Sequence, residues 1–151
     1  MKIAEALIIR TDLQKNVSQL QARLLQNAQV QEGTEVTEKP EELLNKLRKT
    51  LAELQDMVIK INRANIESKD ENGISLADLL AQRDILDIEI KTVREFLDKA
   101  AALIQPYNRL EIKVFPSVNV EDYRKSLDGL SKNRRELEIK IQNLNWISEL
   151  K

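Results

Sequence analysis

Apolar residues recur along most of the chain at alternating intervals of three and four positions, which places them on one face of an α-helix. The pattern predicts four long amphipathic helices separated by polar or proline-containing connections. We call the line of alternating third and fourth positions on each helix its seam. The seams hold mostly Leu, Ile, Val and Ala, which predicts an all-α protein: an antiparallel up-down four-helix bundle in a single domain, residues 1–151.

The first helix is predicted over about residues 2–30, with Gly33 as the stop signal after its end. Its seam is Ile3, Ala6, Arg10, Leu13, Val17, Leu20, Leu24 and Asn27. The second helix is predicted to begin at Pro40, a favoured first-turn residue, and to end before the polar turn 68–73. Its seam is Leu44, Leu47, Leu51, Leu54, Val58, Ile61 and Asn65.

The third helix is predicted to begin at Ser75, with Asp78 in the position of a capping box, and to end before Pro106. Its seam is Leu79, Arg83, Leu86, Ile90, Val93, Leu97, Ala100 and Ile104. A second apolar line widens its face: Leu76, Leu80, Ile85, Ile88, Phe96 and Leu103. A widened face fits either a central position in the bundle or a contact with another subunit.

Residues 110–114 alternate between apolar and charged side chains, and Pro116 follows. This alternation predicts a small β element at about 110–115, between the third and fourth helices. A single strand needs a partner for its backbone groups. The candidate partners are residues 34–37, at the same end of an up-down bundle, or the same strand of another subunit.

The fourth helix is predicted to follow Asn119 as its N-cap, with Asp122 at the box position. Its seam is Tyr123, Leu127, Leu130, Arg134, Leu137, Ile141 and Leu144. A second apolar line near the C-terminus consists of Ile139, Trp146 and Leu150. Beyond these heptads, the sequence predicts no internal repeat.

Arginine interrupts three of the four seams, at Arg10, Arg83 and Arg134. A guanidinium group in a seam loses hydration and therefore needs a partner, a ligand or access to water. Heights in an antiparallel bundle group Arg10 and Arg83 into one polar layer and leave Arg134 apart. The candidate residues of this layer or of a ligand site are Arg10, Asp12, Asn62, Asn65, Arg83, Asp84 and Asp87.

Three interpretations of these arginines stay open. The first is a satisfied buried network that fixes the register of the helices. The second is that the arginines lie at the edge of the seam and extend into solvent. The third is a pocket for an anion or small molecule, built from two guanidinium groups.

The sequence contains no cysteine and no histidine. Disulfides, thiol nucleophiles and thiolate or imidazole metal ligands are therefore excluded, and any acid–base chemistry would fall to Asp, Glu, Lys or Tyr. No cofactor or metal is expected. The formal net charge is -1 with both signs interspersed, which argues against nucleic-acid binding. No apolar run is long enough to span a bilayer, so a cytoplasmic protein is expected.

Several short segments resemble an uncharacterised family of small bacterial helical proteins, some of whose members carry the name septicolysin. They are residues 4–7, 10–14, 27–28, 30–33, 61–63, 65, 79–84, 111–113 and 145–146. The resemblance covers essentially the whole chain and implies a bacterial protein of unknown biochemical function. Its recurring polar residues map onto Arg10, Asp12, Asn27, Glu32, Asn62, Asn65, Arg83 and Asp84. The name suggests membrane lysis, but the single tryptophan and the weak β signal argue against it.

The leading hypothesis is a non-enzymatic structural or protein-interaction protein. It is expected to self-associate through the third and fourth helices or the 110–115 strand. The alternative is a small-molecule or anion-binding bundle, with or without enzymatic activity, that uses the Arg/Asn/Asp layer. A membrane-active protein is a further alternative.

Overall fold

The computed structural model describes residues 1–102 and 113–151. They form four helices: α1 (Ile3–Gln26), α2 (Pro40–Glu67), α3 (Leu76–Ala101) and α4 (Val120–Ile147). The described part of the chain is therefore all-α, as the sequence predicts. None of these helices has both the length and the apolar character of a membrane span. The chain divides into two compact units, Met1–Ser75 with Asn143–Lys151, and Leu76–Gln142.

In the first unit, α1 packs on α2, and a shallow groove between them is lined by Asn16 and Arg23 of α1 and by Lys46 and Glu53 of α2. Arg23, near the end of α1, pairs with Glu38, which lies just before α2. The end of α1 therefore lies beside the start of α2, as in an antiparallel hairpin. In the second unit, α3 contacts α4 in the same sense. Asp87 pairs with Arg134, and the rings of Phe96 and Tyr123 lie 5.7 Å apart.

The predicted starts of α2 and α4 are confirmed. Pro40 is the first residue of α2. The side-chain Oδ1 of Asn119 accepts hydrogen bonds from the backbone N of Glu121 at 3.1 Å and of Asp122 at 3.3 Å, which satisfies two donors that the first turn of α4 leaves free.

The end of α1 differs from the prediction, because the helix stops at Gln26 and its C-cap is Asn27. The Asn27 side chain donates to the carbonyl of Arg23 at 2.8 Å and so satisfies one of the last helical carbonyls. Gly33, at φ +79, lies beyond the helix in a turn where the backbone N of Thr34 donates to Gln31 at 3.0 Å. The glycine therefore serves the connection and does not stop the helix.

The seams of α1 and α3 lie on the buried side of each helix, as predicted; Ile3, Ala6, Leu79 and Leu97 are all at most 5% exposed. The seam of α2 is shifted in its middle, where Thr50 is half-buried and Leu51 is 43% exposed. The seam of α4 is half-buried from Leu127 to Leu137 and buried at Ile141 and Leu144, but Tyr123 is exposed.

The second apolar line of α3 is not buried along its length. Ile85, Ile88 and Phe96 are 66%, 62% and 40% exposed, although Leu76 at the helix start is fully buried. The central position of α3 stays a prediction, and the described structure leaves an apolar face of this helix exposed. Ile104 and Leu103 lie outside the described residues.

The predicted β element is not found. Residues 110–112 lie outside the described part of the chain, and residues 113–116 are irregular. The proposed partner segment, 34–37, contains no strand either, because Thr34 is engaged in the turn with Gln31. Alternation over five residues describes an extended backbone, but a ladder also requires a partner with free donors and acceptors.

An internal repeat is present, contrary to the sequence prediction. Two isolated antiparallel bridges, Lys2 with Glu149 and Lys69 with Ser75, supply the alignment. Lys2 and Ser75 each precede the first helix of a pair, and Lys69 and Glu149 each follow the second. We define repeat 1 as residues 2–69 and repeat 2 as residues 75–149. The second helix of each repeat has the same length, 28 residues.

Aligning the sequence on the bridge residues places α1 on α3 with a shift of 73 positions (Lys2 to Ser75) and α2 on α4 with a shift of 80 (Lys69 to Glu149). Arg10 then coincides with Arg83. Other identical or similar pairs are Ala4 with Ala77, Glu5 with Asp78, Leu7 with Leu80, Leu13 with Leu86, Leu47 with Leu127, Ile61 with Ile141, Asn65 with Asn145 and Ser68 with Ser148. The connection between the two helices is longer in repeat 2, and it hides the repeat from any search at one fixed period.

The residues that flank the helices of one repeat pair with residues that flank the helices of the other repeat. The residue before the first helix of each repeat bridges to the residue after the last helix of the other repeat. Equivalent hydrogen bonds accompany the two bridges: the backbone N of Leu150 donates to Met1 at 2.9 Å, and the backbone N of Asp70 donates to Ile74 at 2.9 Å. The start and end of the chain are therefore paired in the same way as the two sides of its central turn.

Candidate functional site

An ionic cluster among the described residues of the second unit is built around Arg134 of α4. Its Nε donates to Oδ1 of Asp87 at 2.6 Å, and its Nη1 donates to Oε2 of Glu138 at 2.7 Å. The Nε2 of Gln142 donates to the other Glu138 oxygen, at 2.7 Å. One guanidinium group thus binds a carboxylate of α3 and a carboxylate one turn ahead on α4.

The electrostatics of this cluster favour the charged form of every member. The hydrogen bond from Arg134 lowers the pKa of Asp87, and the charge of Arg83 lowers it further. The hydrogen bond from Gln142 is the main cause of the lowered pKa of Glu138, followed by the hydrogen bond from Arg134. The hydrogen bond to Asp87 raises the pKa of Arg134. These carboxylates are ionised at neutral pH, and the cluster is a salt-bridge network joining α3 to α4.

Arg83 lies near this cluster and makes its own pair. Its Nε and Nη2 donate to Oδ1 of the adjacent Asp84 at 3.1 and 3.0 Å. The side chain of Arg83 is 27% exposed and that of Asp84 is 66% exposed. This is the behaviour of an arginine at the edge of a seam whose charged end reaches solvent.

A second polar cluster fixes the connection between α1 and α2. Asn27 is 8% exposed, and its Oδ1 accepts a hydrogen bond from the backbone N of Glu38 at 3.0 Å. The Glu38 carboxylate accepts hydrogen bonds from Nε of Arg23, at 2.9 Å, and from Nη2. These bonds raise the pKa of Arg23 and lower that of Glu38. The cluster ties the end of α1 to the residues that lead into α2.

The predicted layer residues that lie in the first unit differ in their burial and in their partners. Arg10 is half-buried in its seam, and its Nε is buried without a hydrogen-bond partner among the described residues. Asp12 is exposed and lies 3.8 Å from the Nζ of Lys15. Asn62 is exposed and Asn65 is half-buried.

The other three members, Arg83, Asp84 and Asp87, belong to the second unit. There the structure joins Asp87 to Arg134, the arginine that the sequence argument leaves apart. The grouping of Arg10 and Arg83 in one layer with Asn62 or Asn65 stays a prediction.

Sequence reasoning missed both observed clusters, although it had part of the signal. The spacing of Arg134 and Glu138, four residues apart on one helix, is a recognisable ion-pair pattern. The seam position of Asn27 also indicates a buried polar residue. The pairing of Arg23 with Glu38 depends on the path of the connection and has no local signal. No group of three or more His, Cys, Asp or Glu residues suited to a metal occurs in the described ranges.

The apolar face left open on α3 is a candidate interaction surface. We define the α3 face as Ile85, Ile88, Thr92 and Phe96, which follow one another at intervals of three and four and are all exposed. The Thr92 hydroxyl donates to the carbonyl of Ile88 at 2.8 Å, so it adds no unsatisfied donor. The equivalent positions of α1 are all polar: Asp12, Lys15, Gln19 and Arg23.

Comparisons with known proteins give a family and a structural neighbour. Residues 10–150 match the model of a Family of unknown function (DUF6847). The structure resembles a crystal structure described as that of a functionally unknown conserved protein from Corynebacterium diphtheriae. The TM-score is 0.92 at 36% sequence identity, over 100% of this chain and 99% of that chain. No curated protein matches the sequence. The expected resemblance to an uncharacterised family is confirmed, and the septicolysin name stays a prediction.

Proposed function

We propose, for a chain that belongs to the Family of unknown function (DUF6847), a non-enzymatic structural role in which the protein acts through protein–protein contacts and self-associates. The single observation that carries this proposal is the α3 face, which exposes two isoleucines and a phenylalanine in a continuous line. Exposed apolar area is unfavourable by about 25 cal/mol per Å², so a partner that covers it gains binding free energy.

The comparison of the two repeats supports a binding role for this face. At the equivalent positions α1 carries polar and charged side chains, yet α1 forms a helix in the same position of its repeat. Apolar residues are therefore not needed there to form the hairpin. Their presence on α3 alone indicates a requirement that repeat 1 does not share, and contact with a partner meets it.

The polar clusters support a structural role for the rest of the molecule. Arg134, Asp87 and Glu138 neutralise one another and connect two helices, and Arg23 and Glu38 do the same at a connection. Paired charges of this kind hold helices in one register. We include in the proposal that the two hairpins form one up-down bundle.

A small-molecule or anion-binding role is the second candidate, and one observation favours it. The Nε of Arg10 is buried without a hydrogen-bond partner among the described residues, and a bound anion satisfies such a donor. In this proposal Arg10 and Arg83 contribute to one polar layer with Asn62 or Asn65. A thermal-shift screen with phosphate, nucleotides and carboxylates tests it: stabilisation that is lost in Arg10→Met supports it, and no stabilisation by any of these anions removes it.

Size-exclusion chromatography with light scattering tests the leading proposal on the full chain. We expect a mass of at least two chains at micromolar concentration. The double variant Ile85→Asp/Ile88→Lys, which installs the residues of α1, is expected to give a folded monomer. A wild-type protein that stays monomeric up to about millimolar concentration, where binding is worth only about 4 kcal/mol, contradicts the proposal.

A further inference from the structure

We infer that Arg10 and the side-chain amide of Asn145 form one binding site for a small carboxylate, close to the bridge between the start of α1 and the end of α4. Both residues belong to the first unit. The inference rests on the second candidate of the proposed function, the anion-binding role, and names a further residue of that site and its ligand class. It does not depend on self-association of the chain.

Asn145 is a buried polar residue whose side chain has no partner. It is 5% exposed, and its amide makes no hydrogen bond with any residue that the structure describes. Asn27, which is 8% exposed, shows the contrast, because its amide donates to the carbonyl of Arg23 and accepts from the backbone N of Glu38. A buried amide without a partner is unfavourable, so Asn145 requires a group that accepts or donates a hydrogen bond.

Arg10 has the same deficiency. Its Nε is buried and makes no hydrogen bond with any described residue. The equivalent arginine of repeat 2, Arg83, pairs with the adjacent Asp84. The position equivalent to Asp84 is Thr11, whose hydroxyl donates to the carbonyl of Leu7 at 2.9 Å. Repeat 1 therefore lacks the neighbouring carboxylate that Arg83 uses, and a carboxylate from a ligand supplies the same contact.

The bridge sets the height of Asn145 relative to α1. The backbone N of Ile3 donates to the carbonyl of Ser148 at 3.1 Å, where α1 begins and α4 ends. Ala6 and Asn145 are each three residues from this level, about 4.5 Å along their helices. Ala6 is fully buried, as Asn145 nearly is. We therefore place the two residues at one height, on the inner sides of the two helices.

The side chain of Arg10 reaches that height from one turn further along α1. Arg10 and Ala6 are four residues apart and share a side of the helix. Side chains on a helix lean toward its N-terminus, so the guanidinium group of Arg10 lies back over Ala6. The methyl group of Ala6 leaves room for it. Arg10 is half-buried, so part of the guanidinium group stays open to a ligand from solvent.

The chemistry of the two side chains favours a monoanionic carboxylate. The Nε and one Nη of a guanidinium group form a planar fork that matches the two oxygens of a carboxylate. The Nδ2 of Asn145 donates a further hydrogen bond to the same group. Lys2, at the same end of α1, is already paired with Glu149 at 3.0 Å. Arg10 contributes a single positive charge, which a carboxylate balances and a phosphate dianion exceeds.

Titration of the full chain with sodium acetate tests the site directly. We expect the NMR signals of the Arg10 Nε–H and the Asn145 side-chain amide to move together and saturate with one dissociation constant of about 1–10 mM. Neutral acetamide and sodium chloride at the same ionic strength should move neither signal. Asn145→Ala should weaken acetate binding at least about fivefold without lowering Tm, because the amide has no protein partner to lose.

A carboxylate built into the chain tests the proximity of the two residues. We expect Asn145→Asp to pair with Arg10, to raise Tm by a few degrees and to abolish the response to acetate. Asn143→Asp, on the exposed side of the same turn, is the matched control and should not raise Tm. In an Arg10→Met background, Asn145→Asp should lower Tm, because it buries a carboxylate without a partner.

The outcomes separate this inference from the proposed function. An acetate response that is lost in Arg10→Met but retained in Asn145→Ala overturns the shared site and leaves an anion site at Arg10. A lowered Tm in Asn145→Asp with Arg10 present overturns the proximity of the two residues. Tighter binding of phosphate than of acetate overturns the ligand class. No response to either anion overturns the inference together with the anion-binding candidate, and leaves self-association to be judged from the mass of the protein.

Discussion

The Nε of Arg134 lies 2.6 Å from Oδ1 of Asp87 and joins α4 to α3 in the second unit. The two residues are 47 positions apart in sequence, yet Arg134 also binds Glu138 on its own helix. One arginine therefore fixes both the rotation of α4 and its position along α3. This relationship gives the hairpin a register that apolar side chains alone specify less sharply.

Replacement of Arg134 should destabilise the second hairpin. We expect Arg134→Met to lower Tm by a few degrees in a thermal melt followed by circular dichroism, because Asp87 and Glu138 lose their common partner. Arg135→Met, at an exposed neighbouring position, is the matched control and should change Tm little. Equal effects in the two variants would show that the ion pairs do not set the stability of the hairpin.

The same pair predicts a dependence of stability on acid. The pKa of Asp87 is lowered in the folded protein, so the unfolded state binds more protons as the pH falls through the unfolded value, about 4. The contribution of this pair is therefore present above that pH and lost below it. Between pH 6 and pH 3, wild type should lose more of its free energy of unfolding than Arg134→Met, measured by urea titration at each pH. Parallel losses in the two proteins would contradict the prediction.

Asn27 should be the most sensitive polar residue of the first hairpin. It is 8% exposed, donates to Arg23 and accepts from the backbone of Glu38. We expect Asn27→Ala to cost about 1–3 kcal/mol in urea unfolding, since it leaves the part-buried backbone N–H of Glu38 without its hydrogen-bond partner. Asn16→Ala, on the exposed side of the same helix, should be neutral or slightly stabilising.

How far the sequence alone predicts this structure depends on how local each signal is. The seams of α1 and α3 and the cap at Asn119 are correct because each arises within a helix or its first turn. On α2, Thr50 lies on the buried side where the spacing predicts Leu51. Which side of α2 is buried depends on its contact with α1, and the spacing of apolar residues within α2 carries no information on that contact. The pairing of Arg134 with Asp87 also depends on a neighbouring helix.

The internal repeat shows the limit of pattern reading most clearly. Arg10 and Arg83 attract attention separately as interruptions of two seams, but they occupy one equivalent position. The two bridges make the equivalence visible, because they supply two different shifts for the two helix pairs. Arg10 and Arg83 of the predicted layer therefore occupy the same position in repeat 1 and in repeat 2.

The repeat also predicts which exposed and buried isoleucines behave alike. Ile61 and Ile141 are equivalent and are 2% and 1% exposed, while Ile59 and Ile139, two positions earlier, are 40% and 56% exposed. We expect Ile61→Ala and Ile141→Ala each to cost about 2–5 kcal/mol in urea unfolding. Ile59→Ala and Ile139→Ala should each cost less than about 1 kcal/mol. Unequal costs within the buried pair would contradict the equivalence of the two repeats in packing.

The pairing of the terminal segments predicts that the chain tolerates new ends. The backbone N of Leu150 donates to Met1 at 2.9 Å, as the backbone N of Asp70 donates to Ile74 across the central turn. A circular permutant that joins Lys151 to Met1 through a short glycine-rich linker and opens between Asn72 and Gly73 keeps both bridges, because only exposed turn residues change. We expect it to fold with wild-type helicity and a Tm within several degrees of wild type. A permutant opened between Val58 and Ile59, inside α2, is the control and should fail to fold, because the break removes helical hydrogen bonds beside the buried Ile61. If neither permutant folds, the pairing of the chain termini is not equivalent to the pairing across the central turn. The two bridges then do not reflect a repeated architecture.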